Sequence, residues 1–149
     1  MFTLNLPLAD TKIIVRNEKR MIFDFLRRRF VTLTPEEWVR QQFTHFLAEH
    51  KNYPSALMGN EITLNVGGVS RRCDTAVFDR SSAPLMIIEY KAPTVEITRE
   101  VFEQICSYNT VLHAEYLTVS NGMQHYCCRI DYATGSYSFL KDIPDYGIL

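Results

Sequence analysis

The sequence predicts an α/β protein with a mixed central β-sheet flanked by helices, and three features carry that expectation. Segments with strand and helix periodicity follow one another along the 149 residues in the order strands, helix, three strands, helix, three strands. The run Leu85-Met86-Ile87-Ile88 is apolar on both faces of a strand, the pattern of a central strand. The strand–helix–strand stretch between residues 85 and 120 calls for a parallel, right-handed crossover.

The first thirty residues alternate apolar and polar side chains in short runs (KIIVR, RMIFDF, RRFVTL), which predicts short strands or a hairpin. Residues 1–33 are read as N-terminal strands and residues 34–149 as the core of the same single domain. Thr34-Pro35-Glu36-Glu37 starts a helix: Thr34 caps it, Pro35 suits the first helical position, and Glu37 completes a capping box. Val39, Phe43, Phe46, Leu47 and His50 then keep helical spacing over about four turns, until Asn52-Tyr53-Pro54 ends the element. EITLNV, Gly67-Gly68 and SRRCDTAVFD predict a β-hairpin, and Ser81 to Pro84 turns the chain into the central strand. A second helix is expected over Ile97–His113, with Val101, Ile105, Tyr108 and Leu112 on its apolar stripe. EYLTVS, the Asn121-Gly122 turn, MQHYCCRI and SYSFL supply the last strands.

Composition narrows the function classes. With 46% hydrophobic and 22% charged residues the chain is ordinary globular material, long enough to bury a sizeable core. No segment approaches the roughly 18 apolar residues of a membrane span, and the N-terminus lacks the basic start and apolar run of a signal peptide, so a cytoplasmic location is expected. Cys73, Cys106, Cys127 and Cys128 show no CxxC spacing and read as reduced thiols, with Cys127 and Cys128 on opposite faces of a strand. A formal net charge of −1 gives no global attraction to nucleic acid. Basic residues nevertheless cluster at Lys19-Arg20, Arg27-Arg28-Arg29 and Arg71-Arg72, runs that most often form solvated faces.

The segment Ile87-Ile88-Glu89-Tyr90-Lys91-Ala92-Pro93 ends an apolar strand by placing a carboxylate and an ammonium two residues apart, hence on one side. An exposed ion pair would explain this blandly. A shared target such as a metal-bound water would explain it chemically. The preceding strand offers the test, because Arg72, Asp74, Ala76 and Phe78 alternate onto one face, and a carboxylate inside an apolar strand is costly unless paired or metal-bound. The turn after Asp79 brings Asp74 beside Glu89, with Lys91 one pleat further on. Two carboxylates held close repel, and Mg²⁺ or Mn²⁺ relieves that repulsion while taking oxygen ligands, the carbonyl of Tyr90 among them. A lysine beside such a metal orients the attacking water, which completes the parts for hydrolysing a phosphodiester.

Asp74 followed by Glu89-x-Lys91 resembles the PD-(D/E)XK nuclease superfamily. Gln104-Ile105-Cys106-Ser107-Tyr108, a Q-x-x-x-Y pattern with both ends on one helical face, is similar to the RecB-like branch of that superfamily. Within it, LTPEEWVRQ, NYP, RRCDTAVFD, IIEYKAP, QICSY and YLTVSNG resemble, in this order, the N-terminal domain of type I restriction enzyme R proteins, over roughly residues 20 to 125. The resemblance implies a restriction-endonuclease-like fold, Asp74 and Glu89 as metal ligands, and Lys91 as the catalytic lysine. It further implies that Gln104 and Tyr108 brace the site and touch the DNA backbone, and that a first-helix glutamate joins the metal shell. Two departures stand out: Cys73 occupies the position before Asp74 where proline is common, and the chain has no GxxxxGK[ST] phosphate loop, so it cannot drive ATP-dependent restriction alone.

Each assignment has a plainer rival. Asp74, Glu89 and Lys91 could form a structural ion cluster. Tyr108 could be core, with Gln104 bonded to backbone. Glu37 is chosen for the metal shell although capping accounts for it fully, and Glu36 is the alternative. Arg40 either approaches phosphate or pairs with Glu36 or Glu37 at helical spacing. No histidine pair has ligand spacing. The expectation is therefore a Mg²⁺- or Mn²⁺-dependent DNA endonuclease domain, with DNA and restriction-system subunits as partners and a homodimer allowed. The rival from another class is a nuclease-fold module that binds nucleic acid or a partner subunit without cutting.

Overall fold

Three short strands, β1 (Ile13–Arg16), β2 (Lys19–Asp24) and β3 (Arg29–Thr32), pair antiparallel in that order into a meander. Asn17 and Glu18 both take positive φ, as a tight two-residue hairpin requires, and Arg28 does so before β3. These elements come from a computed structural model, which describes residues 2–149. One face of the meander turns Ile22 fully inward, whereas the other carries Met21 and Phe23 only partly covered.

Helix α1 (Pro35–His50) begins as expected, with Thr34 Oγ1 accepting the Glu37 N–H at 3.0 Å. Only half of the capping box forms, because the Glu37 carboxylate turns away to other partners. The helix is also less amphipathic than its spacing suggests. Every residue from Glu37 to Thr44 is buried, and His50, expected on the apolar face, is exposed. The N-terminal segment accounts for the extra cover: Trp38 Nε1 donates to the Phe2 carbonyl and Ala9 N–H donates to Gln42 Oε1.

The main sheet has six strands in sequence order: β4 (Met58–Val66), β5 (Val69–Phe78), β6 (Pro84–Tyr90), β7 (Tyr116–Ser120), β8 (His125–Asp131) and β9 (Ser136–Phe139). β6 and β7 run parallel and all other pairs antiparallel, which is the mixed sheet and crossover expected. The connection is α2 (Arg99–Asn109), followed by a 3₁₀ turn over Thr110–Leu112, so the helix is shorter than Ile97–His113. Its buried stripe is Phe102, Cys106 and Asn109 rather than Val101, Ile105 and Tyr108, and Tyr108 is half exposed. The apolar spacing was right in period but displaced by about one residue around the axis.

Each face of the sheet has its own core. Val39, Phe43 and Leu47 of α1 pack with Val77, Met86, Ile88 and Tyr90 on one side, and Phe102 and Cys106 of α2 pack with Ile87, Leu117 and Val119 on the other. The adjacent Cys127 and Cys128 divide between these two cores. The β4–β5 ribbon turns over partway along. Met58 and Val77 join the α1 side, yet Cys73 joins the α2 side with Ile62 and Leu64 packed against it. Strict alternation would put Cys73 with Val77. The reversal falls at Glu61, which takes φ 54°, opposite Asp74, and no residue pairing is formed between the two. The expectation that Arg72, Asp74, Ala76 and Phe78 share a simple face fails at this point.

Candidate active site

The β5–β6 register brings Thr75 opposite Ile88, and one step further Asp74 meets Glu89 at the end of the paired region. Asp74 Oδ2 accepts the Tyr90 N–H at 2.9 Å, which pins its carboxylate against the end of β6. The Asp74 and Glu89 carboxyl groups lie within hydrogen-bonding reach of one another. Burial, then the Asp74 charge and the contact with Asp74, push Glu89 well above the ordinary carboxylate range, against smaller opposing effects of the Asn109 amide and the Lys91 ammonium. Both effects disfavour a second negative charge beside Asp74. Lys91 follows β6, tied by its N–H to the Ser120 carbonyl at 2.9 Å. It is half-buried and, among the described residues, forms no ion pair within 4.0 Å.

The two first-helix glutamates have different surroundings. Glu37 Oε1 accepts Arg27 Nη2 at 2.8 Å and Arg40 Nη1 at 3.0 Å, while Oε2 accepts Gln41 Nε2 at 3.0 Å. Its carboxylate is thus committed to a buried network. Glu36 is half-buried, and its carboxyl is raised by burial and by the Asp74 charge, with Arg40 and Lys91 opposing. Glu36 is the helix residue that senses Asp74 and Lys91.

Arg40 is buried and committed to carboxylates. Its Nη2 donates to Glu61 Oε1 at 2.7 Å and lies 3.6 Å from Asp74 Oδ1. Glu61 also takes Arg72 Nε at 2.8 Å, and the two arginines hold its carboxyl below the ordinary range despite burial. Spacing gave no sign of Glu61, because its position depends on the turned-over ribbon. A second buried chain fixes the site from below: Tyr90 Oη donates to Thr75 Oγ1, Thr75 Oγ1 to Asn60 Oδ1, and Asn60 Nδ2 to Asp24 Oδ2. Asp24, bonded also to Arg27, ties the meander to both strands.

On α2, Gln104 is exposed, and Tyr108 is half exposed with the Arg71 guanidinium 4.5 Å above its ring. Neither is core. The helix residue whose amide bears on Glu89 is the next one, Asn109, which opposes the rise of the Glu89 carboxyl; its Nδ2 donates to the Ile105 carbonyl at 2.9 Å. Asn109 Oδ1 is buried with no protein partner. Asparagine directly after the Q-x-x-x-Y tyrosine is the signal that could have pointed to it.

No three His, Cys, Asp or Glu side chains among the described residues form a metal-holding group by themselves. The donor set still fits a hard divalent cation, since two adjoining carboxyl groups that disfavour each other's charge favour a positive charge between them, and Mg²⁺ commonly keeps several waters beside one or two carboxylates. Beside the site a groove of about 510 Å³ is lined by Val31, Thr32, Glu36, Arg40, Glu61 and Ala92, among others. No helix among the described residues is long and apolar enough to cross a membrane.

Comparison with known proteins agrees with this architecture. A solved fragment assigned to the HsdR subunit of a type I restriction enzyme from Vibrio vulnificus YJ016 is 21% identical, with a TM-score of 0.53 over 75% of this chain and 24% of that one. That likeness shows a shared fold, and this chain spans about a quarter of the fragment's length. No curated protein matches the sequence. Residues 35–144 match the family described as the type I restriction enzyme R protein N terminus (HSDR_N), so α1, α2 and all six strands of the main sheet fall inside the match. The chain belongs to the type I restriction enzyme R protein N-terminus family.

Proposed function

We propose that this chain is a metal-dependent DNA nuclease domain of the PD-(D/E)XK type, hydrolysing phosphodiester bonds with Mg²⁺ or Mn²⁺. The observation that carries the reading is the Asp74–Glu89 pair, two carboxyl groups brought together at the end of β6, where burial and the Asp74 charge push the Glu89 carboxyl up. Asp74, Glu89 and the Tyr90 carbonyl would hold the ion, and Glu36, rather than the Glu37 chosen from sequence, would reach it through water. A bound divalent ion supplies charge neutralisation at the phosphate and a lowered pKa for water. Lys91 holds the attacking water by hydrogen bonding, and its uncommitted ammonium is what that task needs. As the water oxygen bonds to phosphorus, the bond to the leaving oxygen breaks, the leaving oxygen gains a proton and the water loses one. Gln104 and Tyr108 would contact the phosphate backbone rather than the chemistry, a reading supported by their exposure on α2.

A second reading has an observation in its favour. The chain covers 24% of the matching fragment, so the domain could serve as a subunit module whose cutting depends on other parts of a restriction complex. A plasmid-nicking assay in Mg²⁺, Mn²⁺ or EDTA, on wild type and Lys91→Ala, tests both. Nicking that needs metal and falls at least about a hundredfold in Lys91→Ala supports the nuclease, in line with the loss of a positioned acid–base group. Lys91→Arg should not rescue it, because a guanidinium does not replace a compact ammonium. Equal nicking by wild type and Lys91→Ala refutes the catalytic role, and no nicking by wild type favours the module.

A further inference from the structure

The net charge of −1 conceals a strong asymmetry. Between Thr11 and Leu33 the chain has seven Lys and Arg against two Asp and Glu, leaving nine of sixteen bases and fifteen of seventeen acids elsewhere. Of the two acids in this stretch, Asp24 is fully buried and bonded to Arg27, so Glu18 is the one exposed carboxylate. On the meander's outward face Phe23 and Phe30 meet edge to face, 5.3 Å between ring centres. Lys12 Nζ, just before β1, and the Arg16 guanidinium at its end both lie over the Phe30 ring, at 5.7 and 5.6 Å. Lys19 pairs with Arg16 across the β1–β2 ribbon.

These cations have no carboxylate of their own. Of the seven bases in the stretch, Arg27 pairs with an acid within 4.0 Å, and among the described residues Lys12, Arg16, Lys19, Arg20, Arg28 and Arg29 pair with none. Elsewhere Arg40, Arg72, Arg99 and Arg129 are paired and five other bases are not, but those five are scattered rather than gathered on one face. An ordinary solvated surface intersperses both signs. Here like charges are gathered over an aromatic platform, an arrangement whose repulsion a polyanion would relieve. The face is also continuous with the candidate site, because Val31 and Thr32 of edge strand β3 line the groove that contains Glu36 and Glu61. The meander lies outside residues 35–144, the part matched to the family.

We propose that the outward face of the meander, with Lys12, Arg16 and Lys19 as its phosphate contacts, is a docking surface for the backbone of duplex DNA lying along the groove. The choice of DNA rests on the nuclease reading, but the binding is separate from cutting. The test is fluorescence anisotropy with a labelled DNA duplex in EDTA across a salt series, so that no cleavage is involved. Each neutralised phosphate contributes about 0.9 to the log–log salt slope, so K12Q/R16Q/K19Q should reduce the slope by roughly 2 to 3 and weaken binding on the order of a hundredfold near ~0.1 M salt. The charge-matched R80Q/R99Q/K141Q variant, exposed sites off the meander, should bind within about threefold of wild type. Equal losses in the two variants, unchanged binding in the first, or a wild type that binds no duplex would each overturn the proposal. Tighter binding of duplex RNA with the same three-residue dependence would overturn the choice of DNA. A wild type that binds through these residues but never nicks DNA would uphold this surface while refuting the nuclease.

Discussion

Replacing Glu37 by Gln should damage stability, and replacing Glu36 by Gln should damage activity. The Glu37 side chain is 9% exposed and takes both Arg27 and Arg40 on one oxygen. Neutralising it leaves Arg40, 4% exposed, and Arg27 with one anion fewer between them. Removing one partner of a buried pair costs ~3–5 kcal/mol, and because Arg27 keeps Asp24 and Arg40 keeps Glu61 the lower end, about 3 kcal/mol, applies. An unfolding entropy of about 2.1 cal/mol/K per residue gives roughly 0.3 kcal/mol/K for 149 residues, so Tm should fall by about 10 °C. Glu36 has no such partners and is repelled by Asp74, so Glu36→Gln should melt within about 2 °C of wild type. Its metal-dependent nicking should fall about 10- to 100-fold, the usual cost of losing an outer partner of a metal site. Thermal unfolding by circular dichroism and the nicking assay together decide. A Glu37→Gln protein with normal Tm and no nicking, beside a fully active Glu36→Gln, would refute the assignment.

Asp24 gives a pH-dependent counterpart. Burial alone would raise its carboxyl, but bonds from the Arg27 side chain, Asn60, and the Arg27 and Leu26 amides hold it below the ordinary aspartate range. A depressed folded pKa means the stabilisation is present above about pH 4 and lost as pH falls through the folded value. Asp24→Asn should therefore melt well below wild type at pH 7, with the gap narrowing below pH 4, and a gap independent of pH would contradict this. Gly122 sits at φ 85°, where an added Cβ would meet Leu4 Cδ2 at 2.7 Å. Gly122→Ala should then cost about 1–3 kcal/mol in denaturant unfolding, whereas Gly68→Ala, with open space around it, should cost only the backbone strain of about 1 kcal/mol. Gln104→Ala should leave Tm within about 2 °C because the side chain is exposed, while nicking falls; a large Tm loss with normal nicking would make the residue structural.

Where local chemistry decides structure, the sequence was readable. Thr34 and Pro35 start α1 by capping and fixed φ, Gly67 and Gly68 take the positive φ their hairpin turn demands, and the crossover between β6 and β7 is parallel as a strand–helix–strand unit requires. The β5–β6 hairpin, whose register sets Thr75 opposite Ile88 and so leaves Asp74 near Glu89, was legible from the turn between its strands. Where distant segments compete for a side chain, it was not. Glu36 and Glu37 are about 100° apart on the helix, and which one is free depends on Arg27, delivered by the meander. Glu61 gained its place from the turned-over ribbon, which no period-2 pattern announces. On α2 the difference between Tyr108 and Asn109 facing the sheet is one residue of rotation, smaller than an apolar stripe resolves.

The neighbouring thiols Cys127 and Cys128 make the sheet a partition with a probe on either side. All four cysteines are buried and free, and burial pushes Cys127 up to about 11 and Cys73 and Cys128 up to about 12, so none reacts readily while the layers stay closed. Cys127 becomes accessible when the α1 layer lifts, whereas Cys73, Cys106 and Cys128 wait for the α2 layer. Timed alkylation read by peptide mass would then clock the two layers independently in one experiment. If docking of a nucleic acid steadies α1 and its meander, Cys127 labelling should slow while the other three keep their rates.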